Sequence, residues 1–463
     1  MFIYNTLSGK KEKLIIPKNR NLKLFVCGPT VYDKSHIGHA RTYLVFDSFI
    51  KYLRSQKIKI VYLQNITDID DKIIARAKKE KTNAKKIADK YFNAYTRDMK
   101  TLGIKSVDRY ARATKFIPEI IKQVQTLIKR GYVYKIENDG WYFDVATFPD
   151  YGKLSKRTAL QAEDAVTRID ESVKKRNRGE FCVWKFSKPG EPVWRASFGA
   201  GRPGWHIEDT AIAGKFFGPQ YDLHGGGLDL KFPHHEAEIA QAEAASGKKP
   251  FVKIWLHTGM LTVNGKKMSK SLQNFITIKD FLKKYPAEVL RFMVLNHHYR
   301  MPLNYKNELA IQAKKNLDDI NLFLAKIDFM LSKKYSPRLK KHSFNFPTLF
   351  ENALANDFNT PEAISYIFNA INQGNDLYKK YNWAADRKGL LETKKFINNS
   401  LAKLGIVTKK HKIPQKIKKI AAERELLRRN KQFIRADTLR KKIRVLGYAI
   451  EDTPLGPFIQ AAS

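Results

Sequence analysis

The stretch from Leu22 to Gln64 constrains the fold more than any other part of the sequence. Residues 22–27, Leu-Lys-Leu-Phe-Val-Cys, read as a short buried strand that Gly28 and Pro29 break. A helical stretch follows from about Gly38 to Ser55, and residues 58–64 read as a second strand. Strand, helix and strand in so little chain predict a right-handed βαβ crossover of a parallel sheet. Ligands of such sheets bind at the carboxyl ends of the strands, so Cys27 to His39 is where chemistry is expected first.

Beyond this unit, apolar residues at 117, 120, 121, 124, 127 and 128 predict an amphipathic helix ended by Gly131. Residues 132–200 carry strand-like runs such as Trp141-Tyr142-Phe143, and read as an insertion. Parallel-sheet signals resume at Tyr221–His224 and Val252–Leu256, and Asn264-Gly265 marks a hairpin turn. From about residue 276 to 405 the pattern is helical, and a basic segment follows. There Phe433, Ala436, Leu439 and Ile443 are expected on one helical face, leaving Arg435, Lys441 and Lys442 outside it. At 463 residues the chain has room for two to four domains at roughly 100–200 residues each. Its 86 Lys+Arg against 45 Asp+Glu give a net charge of +41, which suits a polyanionic partner or a surface filled with lysine. Two cysteines, Cys27 and Cys182, exclude a disulfide scaffold and fit a reducing cytoplasm; Cys182, in an apolar run, reads as a core thiol. Neither a signal peptide nor a transmembrane helix is indicated.

Two short motifs carry the chemistry. His36-Ile37-Gly38-His39 opens the first helix, where free N–H groups, a positive dipole end and two imidazoles can meet phosphate oxygens. Lys267-Met268-Ser269-Lys270-Ser271 lies in a loop after the hairpin, where two lysines can close on a triphosphate. In order and separation they resemble the "HIGH" and "KMSKS" signatures of class I aminoacyl-tRNA synthetases. Cys27, the run Gly204–Thr210, and His224-Gly225-Gly226-Gly227 through Glu238 narrow the resemblance to the cysteinyl-tRNA synthetase family, nearly end to end. Asn65–Asp71, Asp357–Ala363 and Ala436–Arg440 resemble further blocks of that family.

The resemblance implies an α/β fold: a Rossmann-like parallel-sheet catalytic domain with an insertion, then a mainly helical tRNA-binding region and a small basic C-terminal domain. The expected boundaries are 1–116 and 201–275 for the two catalytic halves, the second carrying the lysine loop, and 117–200 for the insertion. Residues 276–325 would contact the tRNA stem, 326–405 would form a helical anticodon-binding bundle, and 406–463 the basic domain. Arg428, Arg429, Arg435 and Arg440 are candidate tRNA contacts or a solvated face. Implied catalytic residues are His36, His39, Lys267 and Lys270. ATP would be held by His36, Gly38, His39, Gly226, Asp229 and Lys270, and cysteine by Cys27, Thr67 and Trp205. A zinc ion is implied on Cys27, Asp209, His234 and Glu238, with His234 and Glu238 one helical turn apart.

At residue 209 the sequence departs from its family, whose block ends Trp-His-Ile-Glu-Cys where this chain has Trp205-His206-Ile207-Glu208-Asp209. Aspartate can ligate zinc through oxygen at the same formal charge, or only hydrogen-bond beside a weak or absent metal. His206 and His235 could orient the metal site or be satisfied core groups. A second departure, Gln273 where the family commonly has glycine, removes a flexible hinge after the lysine loop. The resemblance implies tRNA(Cys), L-cysteine and magnesium-ATP as substrates, a monomer, no membrane and a cytoplasmic setting. Two rivals stand beside this reading: a ligase joining cysteine to an amino-sugar, which would not need the basic segment, and a tRNA-binding paralogue without catalysis.

Overall fold

The computed structural model describes residues 1–157, 174–177, 179–269, 272–333, 345–380, 387–408 and 413–461. The chain divides into two compact units. The first comprises Met1–Ala287, His297–Lys306 and Ala355–Phe358; the second comprises Glu288–Asn296, Asn307–Leu354 and Asn359–Ser463.

In the first unit a hairpin of Phe2–Asn5 (β1) and Lys10–Lys13 (β2) precedes Leu22–Val26 (β3), in which Leu22, Leu24, Phe25 and Val26 are wholly buried. A strand apolar on both faces belongs inside a parallel sheet. The crossover helix Ile37–Ser55 (α1) returns the chain to Ile60–Ile66 (β4), paired in parallel with β3 at Phe25↔Leu63. Helices Asp71–Lys79 (α2) and Ala84–Thr101 (α3) lead to Arg109–Arg112 (β5) beside β4, and Ile117–Lys129 (α4) follows. The predicted βαβ unit and amphipathic helix are thus present, the second strand two residues later than expected.

The insertion is an antiparallel four-stranded sheet in the order Val133–Ile136 (β6), Gly140–Phe143 (β7), Phe181–Phe186 (β8) and Gly201–Pro203 (β9). After Ile207–Phe217 (α5), Tyr221–Gly227 (β10) enters the main sheet on the other side of β3; Glu236–Ser246 (α6) and Val252–Thr258 (β11) complete it. The order is β11-β10-β3-β4-β5, all parallel. The chain leaves β3 in one direction for β4 and later returns on its opposite edge through β10. The switch point therefore lies between β3 and β10, where open α/β sheets take their ligands. Leu261–Val263 (β12), Lys266–Lys267 (β13) and Ile278–Lys284 (α7) bracket the lysine loop.

His224-Gly225-Gly226-Gly227, whose glycines were expected to follow the strand signalled by Tyr221–His224, lies within β10. Glycine is required there: a Cβ on Gly225 would sit 2.2 Å from the Phe46 ring. Cys182 is a buried core thiol packed with Ile136 and Tyr142, as expected.

The second unit begins with Ala287–Leu295 (α8). The chain returns to the first unit for Leu303–Tyr305 (β14), parallel to β12, and the second unit continues through Asn307–Leu331 (α9), Phe346–Ala355 (α10), Thr360–Lys380 (α11) and Arg387–Leu404 (α12). Gln415–Arg429 (α13), Phe433–Val445 (α14) and the hairpin Tyr448–Thr453 (β15) and Gly456–Ala461 (β16) share a core of Ile417, Ile420, Ala421, Ile443 and Ile450. On α14, Ala436 and Ile443 of the expected face are buried, and Phe433, which opens the helix, is 58% exposed. Among the described residues no helix is long and apolar enough to cross a membrane.

Candidate active site

Strand β3 ends at Val26, and Cys27, the next residue, donates its N–H to Gly225 O at 3.0 Å across the switch point. The next residue must be glycine, because a Cβ on Gly28 would fall 1.7 Å from Asn65 O. Asn65 fixes this corner. Its Oδ1 accepts from Gly28 N–H at 2.6 Å, and its Nδ2 donates to Asp209 Oδ1. Above the strand ends lies a cavity of about 960 Å³. Its lining includes Cys27, His36, Gly38, His39, Thr67, Trp205, Asp209, Asp229, His234 and Lys267. Those sequence candidates therefore converge on one space. Gly226 does not line it; a Cβ there would meet the His235 ring at 2.9 Å. Lys270 lies outside the described residues.

One wall carries the first motif, and its geometry alters the sequence reading. His36 caps α1: Nδ1 accepts from Gly38 N–H at 3.1 Å and from His39 N–H at 3.4 Å, while Ile37 N–H donates to Ile276 O at 3.1 Å. These helix-terminal N–H groups are thus satisfied within the chain and are not the anion donors expected. An accepting Nδ1 places the proton of neutral His36 on Nε2. His39 Nδ1 accepts from His36 N–H at 3.5 Å, which puts its proton on Nε2 as well. The two rings stack with centroids 3.8 Å apart. Burial and the neighbouring His39 pull His36 down to about 2, against the pull of Asp229, and burial pulls His39 to about 4. Both are neutral donors at neutral pH. The lysine loop joins this wall through the Ile276 contact and an edge-on Phe275–His36 pair at 5.1 Å. Asn274 ties the loop across itself, accepting from Ser269 N–H at 2.9 Å and donating to Lys267 O at 3.1 Å. Gln273, at the family's glycine position, is left-handed with φ +51°.

The floor is a cluster of buried donors. Asp209 enters from the first turn of α5, Glu238 from α6, and His234 from the turn just before it. Cys27 Sγ lies 3.4 Å from Asp209 Oδ2 and 3.6 Å from Glu238 Oε1, and His234 Nε2 lies 3.0 Å from each carboxylate. These four could hold one metal ion. Zinc bond lengths of about 2.0–2.3 Å give tetrahedral edges of about 3.3–3.8 Å, close to these spacings. Glu238 Oε2 is buried without a hydrogen-bond partner, as an atom reserved for a cation would be. Burial, with Glu238 and Asp209 nearby, pushes the Cys27 thiol well up, and burial raises both carboxyls. Burial would lower His234, but its bonds to Asp209 and Glu238 outweigh this and lift it to about 10.

Trp205 walls the cluster, its ring 4.5 Å from His234, and His206 Nδ1 meets His234 Nδ1 at 2.8 Å. Thr67 bonds Glu208, whose other oxygen is buried without a partner. Sequence reasoning singled out neither Glu208, Asn65 nor His257 for a role. His257 donates or accepts at His235 Nδ1 at 2.8 Å, and its signal was a histidine two residues beyond Trp255 in an apolar strand. In the second unit, Arg428 pairs with Asp452 and Arg429 lies 3.5 Å from Glu425, so both have intramolecular partners.

Comparison with known proteins agrees with this geometry. Residues 14–315 match the family described as tRNA synthetases class I (C) catalytic domain, and residues 349–408 match the DALR domain. The chain is 41% identical to a cysteine–tRNA ligase of Aquifex aeolicus over 98% of its length and 97% of the relative's. It is 42% identical to one of Thermococcus gammatolerans over 98% of both chains. The fold resembles Mycobacterium tuberculosis methionyl-tRNA synthetase in complex with methionyl-adenylate, with a TM-score of 0.62 at 13% identity, covering 84% of this chain and 90% of that one. The chain belongs to the cysteine–tRNA ligase family of class I tRNA synthetases.

Proposed function

We propose that this protein activates L-cysteine with ATP and transfers it to the terminal ribose of tRNA(Cys). One observation carries the reading: a buried Cys27, Asp209, His234 and Glu238 cluster floors the same cavity whose wall is the His36–His39 pair. Zinc suits this mixture of thiolate, imidazole and carboxylate. When bound, it supplies a Lewis acid that takes the substrate's sulfur as thiolate in preference to a neutral hydroxyl, so cysteine is separated from serine without editing. Trp205 closes the pocket beside His234.

In the first step an oxygen of the cysteine carboxylate attacks the α-phosphorus of ATP, and pyrophosphate leaves with its magnesium. His36 and His39 donate Nε2–H to the phosphate oxygens as charge builds, and Lys267 and Lys270 neutralise the leaving group. Asp229 holds the ribose hydroxyls. In the second step a ribose hydroxyl of the tRNA attacks the cysteinyl carbonyl, and AMP leaves. The match to the DALR domain and the basic C-terminal segment support tRNA as acceptor over an amino-sugar. Cysteine-dependent ATP–pyrophosphate exchange together with tRNA charging tests this. Exchange without charging would favour the amino-sugar ligase, and absence of both would favour a non-catalytic paralogue.

A further inference from the structure

Thr67 and Glu208 form a pair outside the donor cluster. Thr67 directly follows β4 at its carboxyl end, and Glu208 stands in the first turn of α5, next to Asp209. The Thr67 backbone is pinned on both sides: its N–H donates to Pro29 O at 3.3 Å, and its carbonyl accepts from Val31 N–H at 3.1 Å. Thr67 lines the cavity together with Cys27 and Trp205. Its hydroxyl donates to Oε1 of Glu208, which is wholly buried. The other oxygen, Glu208 Oε2, is buried without a hydrogen-bond partner. An apolar side chain would fill that space without the cost of burying a carboxyl short of partners. The bond that Glu208 accepts from Thr67 is what sets it apart from core filling.

We propose that Glu208 is a positioning residue for the α-amino group of the substrate: it fixes the Thr67 hydroxyl so that this hydroxyl accepts an N–H of the ammonium. The inference rests on the reading that the cavity takes cysteine. A hydroxyl has one donor and two acceptor lone pairs, and its hydrogen rotates to suit its neighbours. Without Glu208 that hydrogen could turn toward the cavity, where it would oppose an ammonium, which has only donors. With the hydrogen committed to Oε1, lone pairs are what Thr67 offers the substrate. Burial, with Asp209 beside it, pushes the Glu208 carboxyl well up. The arrangement does not depend on its charge, because a carboxylate oxygen and the carbonyl oxygen of a carboxylic acid both accept. Asp209, the next residue of α5, belongs to the cluster that floors the cavity. Consecutive residues of one helical turn thus serve the amine and the thiol, which cysteine carries on neighbouring carbons.

Titration calorimetry on the full-length protein supplied with zinc, with L-cysteine and with β-mercaptopropionate, tests this. The second ligand keeps the thiol and the carboxylate and lacks the amine. Glu208→Leu removes the acceptor and is expected to weaken cysteine by about 10–100-fold, the worth of one hydrogen bond to a charged group, with β-mercaptopropionate little changed. Glu208→Gln keeps an oxygen that can accept and should retain most of the cysteine affinity. Thr67→Val should show the same selective loss, and adding Glu208→Leu to it should cost nothing further. Equal loss of both ligands in Glu208→Leu would overturn the proposal, because that is what a purely structural role produces. Should that variant not fold, Thr67→Val decides: an undiminished preference for cysteine over the analogue would overturn it too. Unmutated protein that binds neither ligand would instead overturn the reading of the cavity as a cysteine site.

Discussion

Cys27 Sγ lies 3.4 Å from Asp209 Oδ2, and both side chains are closed to solvent. A thiol raised by burial and two neighbouring carboxyls gives up its proton only to a strong electrophile. Cys27 also belongs to the donor group of Cys27, Asp209, His234 and Glu238. Cys27→Ser is therefore expected to weaken zinc by more than the roughly 10–100-fold typical of an outer-shell change. Chelator competition measures it, and an unchanged affinity would remove Cys27 from the metal centre.

Asn65 is the brace of this corner, bonded to both Gly28 and Asp209. Asn65→Ala strands a buried N–H and a carboxylate oxygen, each costing about 1–3 kcal/mol. Calorimetry should show a lower unfolding temperature, and the KM for cysteine should rise more than that for ATP. An unchanged melt would mean the corner is held by other contacts.

The two motif histidines predict an acid-sensitive fold. Their folded values, about 2 for His36 and about 4 for His39, lie below the ordinary 6.5. The folded state then binds fewer protons than the unfolded chain. Their contribution is complete above about pH 6.5 and is lost as pH falls, from 6.5 to about 4 for His39 and on to about 2 for His36. Unfolding temperature should drop across that window, and His39→Gln should flatten part of the drop. A slope identical to that of the unmutated protein would show that His39 is not among its causes.

Gln273 occupies a left-handed backbone conformation that glycine adopts without strain. Gln273→Gly should ease rotation at the hinge by about 0.5–1 kcal/mol, raising the exchange rate up to about fivefold if loop closure limits it. Stopped-flow measurement of the first turnover reads this; a slower first turnover would argue that the residue holds the loop in its working position.

The basic segment should bind tRNA by phosphate contacts. Arg435→Gln and Arg440→Gln are each expected to reduce the salt slope of tRNA affinity by about 1, with cysteine-dependent pyrophosphate exchange unchanged. Arg428→Gln should act instead through stability, because it would release Asp452 from an ion pair. Equal salt slopes in all three variants would place the tRNA elsewhere.

What the sequence revealed was local. The apolar run of β3, the break at Gly28 and the helix after it announce a parallel sheet and place Cys27 at a strand end. Hydrophobic period and turn chemistry act over a few residues, so they could not report features set by strand register. Gly226 pairs with His257 and His224 with Trp255 across β10 and β11, and only that register puts His257 behind His235. The strand signal stops at His224 because three glycines carry no side-chain pattern, and nothing local says that Phe46 fills the space over Gly225. The His36 cap was hidden for a different reason. Imidazole is an uncommon helix cap, so the motif suggested vacant N–H groups where the side chain had already taken them.

The central claim, that a metal in the Cys27 pocket recognises the substrate sulfur, is tested most directly by amino-acid-dependent ATP–pyrophosphate exchange with cysteine and serine, before and after chelation. The account predicts exchange with cysteine alone, abolished by chelation and restored by zinc. Full exchange with cysteine in the metal-free protein would contradict it.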